Sequence, residues 1–252
     1  MPRIVSIRLA LACALALLFT LSTAAALAKG PVVGLRVVGA HGKVLAERSV
    51  SASATWLKTS PKATCLGAGT GGSGDSVKVK GGTALGALAR ASKRTPTLRP
   101  LLTTDHFRSE FGLGLCGVGK ARSSSTLSWY LKVNHVDPQV GGEQARVKAG
   151  DEVLWALVSY PYPEELVLRA PSAVRAGKPF QVTVLAFDDA GKHKPAEGVS
   201  IAGASGPTGT NGKATVTLSR AANLRARRGS DIPSAPVAVC VKGGGGGVPQ
   251  CP

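Results

Sequence analysis

The sequence predicts a mostly β chain with minor α, and three observations carry that expectation. Short apolar runs alternate with polar residues at a period of two, as in Val33, Leu35 and Val37, the pattern of a strand with one buried face. Turn formers punctuate the runs: 32 Gly and 16 Pro stand among 252 residues. Helical spacing is clear in one segment, where Ala84, Leu85, Ala87, Leu88 and Ala91 recur on one face. This length suits two small domains of roughly 100 to 150 residues each. Apolar residues at 44% and charged residues at 18% argue against wholesale disorder. With three Trp, three Tyr and five Phe, the cores must rest on Val, Leu and Ala.

The amino terminus has the pattern of a secretory signal. Arg3 and Arg8 precede an apolar stretch from Leu9 that ends in Ala26-Leu27-Ala28, a basic start, apolar middle and small-residue cleavage site. Cleavage after Ala28 is expected, with an uncleaved anchor helix as the rival reading. Cys13 lies inside the apolar run, which disfavours lipidation there. Residues 1–28 carry Arg and no acid, so the formal charge of +17 stays strongly positive after export. The mature chain has no further transmembrane span by this reading and is placed in the cell envelope or outside the cell. Cys65, Cys116, Cys240 and Cys251 remain, an even number in an oxidising compartment, which reads as two disulfides. Four cysteines allow three pairings, and Cys65 with Cys116 and Cys240 with Cys251 keeps each bridge local. Metal ligation is the competing reading, unsupported by any C-x-x-C spacing or neighbouring His.

Along the mature chain, Val32 to Val38 and Lys43 to Val50 read as a hairpin around Gly39-Ala40-His41-Gly42. Thr64 to Ser76 is too rich in Gly for an element interior and reads as an exposed loop held by Cys65. Val77 to Lys80 is a short strand. Thr83 then caps the helical segment. Phe107 and Phe111, four apart before Gly112, suggest one further helical turn. In Leu127 to Val133, Trp129, Leu131 and Val133 face one way and Tyr130 and Lys132 the other. After a turn at Asn134-His135, Glu152 to Val158 is apolar on both faces, as an inner strand would be. Tyr160-Pro161-Tyr162-Pro163 breaks the pattern. This places a first domain at 29–160, a Pro-rich linker at 161–164, a second domain at 165–242 and a Gly-rich tail at 243–252. Six strand-like runs between Glu165 and Lys242, separated by turns such as Asp189-Ala190-Gly191 and Asn211-Gly212, read as a small β-sandwich.

The order Thr83-x-Leu85-x-x-Leu88, then Trp129-Tyr130-Leu131-x-Val133-Asn134, then Gly150-Asp151-x-Val153-Leu154-Trp155 resembles the transcobalamin-like C-terminal domain family. That resemblance implies a β-grasp (ubiquitin-like) fold with a helix across a mixed sheet. It implies small-molecule binding, for instance of a corrinoid, only weakly, because in cobalamin carriers much of the contact comes from a helical domain that has no counterpart here. The family usually has Asn-Gly at the hairpin turn, where this chain has Asn134-His135. Residues 165–242 resemble bacterial immunoglobulin-like or carboxypeptidase-regulatory-like modules. The matching phrases are Pro171-x-x-Val174-x-x-Gly177, Asp188-Asp189-x-Gly191 and Gly212-x-Ala214-x-Val216-x-Leu218. These imply presentation or spacing.

No catalytic constellation emerges. Gly67-x-Gly69-x-x-Gly72 follows no convincing strand and opens no helix, and Gly114-x-x-x-x-Gly119-Lys120 is followed by Ala121 where a phosphate loop has a hydroxyl. His41, His106, His135 and His193 are scattered without metal-ligand spacing. His135 with Asp137, and Asp105 with His106, are pairs without a nucleophile. Glu164, Glu165, Asp188 and Asp189 could supply paired carboxylates, but a turn and a domain boundary explain them equally. The expectation is therefore a non-enzyme with no catalytic residue, no metal site and no cofactor. Candidate ligand contacts are Tyr130, the more exposed by alternation, with Asn134, His135, Trp129 and Trp155, although core packing competes for both Trp. Arg220, Arg225, Arg227 and Arg228 form the densest cationic stretch. They are either a solvated edge that discourages strand pairing or a face for an anionic wall polymer or glycan. The stretch lacks interleaved aromatics, and export argues against a nucleic-acid partner. Two readings follow: an exported binding protein, or a structural, wall-associated protein held by its charge.

Overall fold

A computed structural model describes residues 30–243 and Cys251; the signal-peptide expectation and most of the Gly-rich tail lie outside the described residues. The chain is mostly β with minor α, as its alternation predicted. The first nine strands are β1 Val32–Gly39, β2 Lys43–Ser51, β3 Thr55–Lys58, β4 Ser76–Val79, β5 Leu101–Thr104, β6 Gly114–Val118, β7 Ala121–Arg122, β8 Ser128–Val133 and β9 Glu152–Val158. Two helices lie among them, α1 at Ala84–Arg94 and the single turn α2 at Arg108–Phe111. The short β3, β5, β6 and β7 were not legible as strands. They are brief, Gly-interrupted or lack alternation, and they exist because β3 pairs with β4, and β6 with β5 and β7.

The main sheet runs β2-β1-β9-β8. β1 pairs antiparallel with β2 and parallel with β9, and β9 pairs antiparallel with β8. One face carries Val33, Leu35, Val37, Leu131, Val153 and Trp155, packed under α1. Thr83 starts that helix as expected: its Oγ1 accepts from the Gly86 N–H at 3.1 Å. Leu85 and Leu88 are completely buried.

The opposite face is also covered. Val38, Tyr130, Leu154, Ala156 and Val158 pack with Ile232 and Tyr162 from the later part of the chain. Both faces of β9 are therefore buried, which is why its sequence is a continuous apolar run.

The later strands are β10 Glu165–Arg169, β11 Ala173–Arg175, β12 Pro179–Phe187, β13 His193–Pro195, β14 Ser200–Ile201, β15 Lys213–Thr217, β16 Ala222–Leu224, β17 Ala226–Arg227 and β18 Val237–Lys242. β12 pairs with β10, β13 and β15, β18 joins β11 to β16, and β14 pairs with β17. The run expected from Asn223 to Arg228 is split because β16 and β17 pair with different partners. A second core of Leu166, Val182, Val184, Val216, Leu224 and Val239 lies among them. Cys65–Cys116 and Cys240–Cys251 are bridged, the local pairing among the three that four cysteines allow. No helix among the described residues is long and apolar enough to cross a membrane.

Candidate functional site

An aromatic groove forms where the helix-facing side of the main sheet runs out beyond α1. In the β8–β9 register, Trp129 sits opposite Leu157 and Leu131 opposite Trp155. Opposed residues share a face, so the two indoles are diagonal neighbours on it. Leu66, Phe107, Phe111 and Val140 add to the walls of a groove of about 510 Å³, within the range of roughly 300 to 1,000 Å³ of small-molecule pockets. Phe111 is 64% exposed and Leu66 and Val140 about half exposed, whereas Trp155 is buried.

Covalent and ionic ties hold this wall. Arg108 donates to both carboxylate oxygens of Glu143, at 2.6 and 3.2 Å, and the Leu113 N–H donates to the same group at 3.1 Å. The Cys65–Cys116 bridge fixes the rim at Cys65. Gly142 leaves room for the floor: a Cβ there would stand 2.5 Å from the Trp155 ring. The indole Nε1 atoms of Trp129 and Trp155 are both buried without a hydrogen-bond partner. A buried donor left unmatched costs about 1 to 3 kcal/mol, and neither nitrogen is open to the groove.

The other face of the sheet holds a buried charge cluster. Arg36 on β1 and Lys132 on β8 project from it toward Glu165 at the start of β10. Arg36 donates to the Glu165 carboxylate and to the Pro233 carbonyl. Lys132 Nζ donates to the Phe187 and Asp188 carbonyls at 3.2 and 2.8 Å and stands 4.0 Å from Glu165 Oε2. His135 Nδ1 is 3.1 Å from the same oxygen. A proton on Nδ1 makes that contact a hydrogen bond and satisfies two atoms that otherwise have none.

Burial pushes the Glu165 carboxyl pKa up, but the His135 hydrogen bond and the charges of Arg36, His135 and Lys132 outweigh it and hold the group below its ordinary value. Burial pulls the Lys132 ammonium pKa down, against the attraction of Glu165. The cleft here is about 160 Å³, below the size of a ligand pocket, and Arg36 and His135 on its wall are both turned to Glu165. Both contacts join the first part of the chain to the later one.

The residues singled out from sequence separate between these places. Trp129 and Trp155 line the groove. Tyr130 was expected to be exposed and is 4% exposed. The face opposite Trp129 lies under the second part of the chain, where the phenol donates to Asp189 Oδ1 at 2.6 Å and the ring stacks on Tyr162 at 4.2 Å. Asn134 is occupied as a turn former: its amide donates to Asp151 and accepts from the Glu152 N–H, both at 2.9 Å. His135 belongs to the charge cluster and packs on Phe187 at 4.4 Å between ring centres.

The arginine stretch is not a free stripe. Arg225 forms a two-pronged pair with Glu47, and Arg228 pairs with Asp231 at 2.7 Å and Glu164 at 2.9 Å. Arg227 donates to the Gly42 carbonyl at 3.2 Å, and Arg220 is exposed. The first part of the chain supplies the partners of Arg225 and Arg227, and the later part those of Arg228. The four acids weighed as paired carboxylates have partners as well: Glu164 binds Arg228 and Lys194, Glu165 the buried cluster, Asp189 Tyr130, and Asp188 Oδ1 the Lys192 N–H at 2.8 Å.

Sequence reasoning missed Leu66, Phe111 and Val140 as groove walls: Leu66 and Val140 lie in loops without periodicity, and Phe111 was read only as part of a helical turn. A signal for the buried cluster was present. Arg36 and Lys132 share their strand faces with Val38, Leu154, Ala156 and Val158, and a face that mixes charge with so much apolar surface is not a solvent face. No family model, curated protein or solved structure matches the chain.

Proposed function

We propose that this is an exported, non-catalytic binding protein of the cell envelope or extracellular space, with its ligand in the Trp129/Trp155 groove. The observation that carries the reading is an aromatic groove of ligand size, lined by Trp129, Trp155, Phe107 and Phe111. Such a groove suits a small molecule with a flat apolar face, such as a corrinoid or a sugar. The sheet order β2-β1-β9-β8, with β1 parallel to β9 and α1 across one face, supports reading the first part as β-grasp and keeps the resemblance to the transcobalamin-like domains in play. The second part is read as an immunoglobulin-like module that covers the sheet's other face. Two disulfides favour an oxidising compartment.

Equilibrium dialysis against cyanocobalamin and a panel of neutral oligosaccharides tests the reading, with Trp129→Phe and Trp155→Phe as variants that shrink the aromatic walls. Retention at micromolar concentration that falls about tenfold in either variant is expected, in line with aromatic contacts worth about 1 kcal/mol or more. No retention of any member, or retention unchanged in both variants, overturns it. A second reading, a structural wall-associated protein held by anionic polymers, draws on the strongly positive net charge, +17 over the full sequence, although Arg225 and Arg228 are held in ion pairs.

A further inference from the structure

The β3–β4 hairpin displays an indole that neither core uses. β3 alternates cleanly: Thr55 and Leu57 are buried, and Trp56 and Lys58 point outward. Trp56 is 58% exposed, which is unusual for the largest apolar side chain and not required by any packing in the fold. Its cross-strand partner is Lys78, so the two share a face. A broad groove opens beside it, walled by Trp56, Lys58, Ser60, Lys93, Arg99 and Pro100 among others, and no acidic residue lines it.

The cations of this groove are free, unlike those of the arginine stretch. Lys58, Lys93 and Arg99 are exposed and form no salt bridge or side-chain hydrogen bond among the described residues. The Asp105 carboxylate accepts from the Ser73 N–H and hydroxyl, at 2.8 and 2.7 Å, and forms no salt bridge with any of the three. Three elements bring the charges together: β3 supplies Trp56 and Lys58, the last turn of α1 supplies Lys93, and the chain leading into β5 supplies Arg99. Positive charge near a helix carboxyl end is also favourable to the helix, but that accounts for Lys93 alone.

We propose that this groove binds an acidic polysaccharide, one sugar ring stacking on Trp56 while Lys58, Lys93 and Arg99 meet its carboxylate or sulfate groups. A flat apolar ring surrounded by separated cations matches a polymer of pyranose rings, each with an apolar C–H face and a negative edge. A strand of nucleic acid is matched less well, because single-strand binders present aromatics in series and this groove has one. A membrane surface would call for apolar residues beside the Trp, where Lys58 and Lys78 stand instead. The site is separate from the Trp129/Trp155 groove. It rests on the second reading only for the charge of the polymer, and it moves the contact away from Arg220, Arg225, Arg227 and Arg228.

The test is titration of the purified chain with a uronate oligomer, a sulfated oligomer and a neutral oligomer of equal length, read by calorimetry and by acrylamide quenching of tryptophan. Binding of one or both acidic oligomers that weakens steeply with salt and shields the quenchable indole is expected. Trp56→Ala and the double variant Lys58→Gln/Lys93→Gln should each weaken it about tenfold or more, as loss of a stacking surface or of two cations predicts. Arg220→Gln/Arg227→Gln should leave it unchanged. The affected positions are exposed, so the variants fold. Equal binding of the neutral oligomer, unaltered binding by Trp56→Ala, or tighter binding of single-stranded DNA or anionic vesicles at the same residues overturns the proposal. Retention on cell-wall fragments that survives Trp56→Ala would sink this site and leave the wall-associated reading standing, while a failure of corrinoid or neutral-sugar binding in the other groove bears on neither.

Discussion

The Tyr130 hydroxyl, on the main sheet, donates to the Asp189 carboxylate on the turn after β12, at 2.6 Å. This bond fastens two hydrophobic cores that belong to different stretches of the chain. Burial raises the phenol pKa, and the Asp189 hydrogen bond raises it further, far above the ordinary 10.0. An acid whose folded pKa is raised contributes stability below its unfolded pKa and loses it as the pH rises beyond that value. Urea unfolding should therefore show stability falling above about pH 10, and Tyr130→Phe should flatten that fall. At neutral pH the same variant should cost about 1 kcal/mol.

Glu165 acts in the opposite pH range. Its folded pKa is held below the ordinary 4.5, so its contribution is present above that value and is lost as the pH drops through the folded pKa. Glu165→Gln leaves Arg36 and Lys132 buried without a counter-charge and should cost about 3 to 5 kcal/mol at neutral pH. The wild-type chain should show an acid decline in stability that is shallower in this variant, measured by urea midpoints across the acid range.

His135 occupies a backbone position that favours Gly. The turn between Val133 and Val136 has two central residues of positive φ, Asn134 at 50° and His135 at 69°, the arrangement of a type I′ hairpin turn. His at such an angle costs about 1 to 2 kcal/mol relative to Gly, while a hydrogen bond to a charged group is worth about 1.5 to 3 kcal/mol. The imidazole contacts with Glu165 and Phe187 explain why His is tolerated there. His135→Gly should thus fall between nearly neutral and destabilising by about 2 kcal/mol. His135→Ala, which keeps the strain and loses the contact, should be the worse of the two. Thermal melts of both variants decide this order.

The two disulfides should differ in effect. Cys65 and Cys116 are 51 residues apart and Cys240 and Cys251 only 11. Loop-closure entropy makes the longer bridge worth about 4 kcal/mol and the shorter about 3. Cys65→Ala/Cys116→Ala should lower the unfolding free energy more than Cys240→Ala/Cys251→Ala. The first pair should also weaken ligand capture, because Cys65 sits on the groove rim.

Gly142→Ala tests the groove floor. The added methyl would meet the Trp155 ring at 2.5 Å, so the loop or the indole must shift, at about 1 to 3 kcal/mol. Near-ultraviolet circular dichroism should change, and retention of any ligand of this groove should be lost while the Trp56 surface is unaffected.

What was legible in the residues was local. Period-two runs placed β1, β8 and β12, a continuous apolar run placed β9, Thr83 placed the start of α1, and an even count of four exported cysteines pointed to two bridges, because each of these is set by neighbours along the chain. Trp129 and Trp155 could be named as candidates, but not set in one groove with Leu66 and Val140, since that depends on the β8–β9 register and on how two loops close over it. Tyr130, Lys132 and the arginines were misjudged for one reason. Alternation shows that a strand has two faces but not what covers the second. Here the later strands cover it, turning an expected solvent face into a buried one and Arg225 and Arg228 from a charged edge into ion-pair partners of Glu47, Glu164 and Asp231. Partnership between residues distant in sequence, as in Arg225 with Glu47 178 positions away, is decided by tertiary packing alone, and so it was the fold that separated the paired cations from the free ones around Trp56.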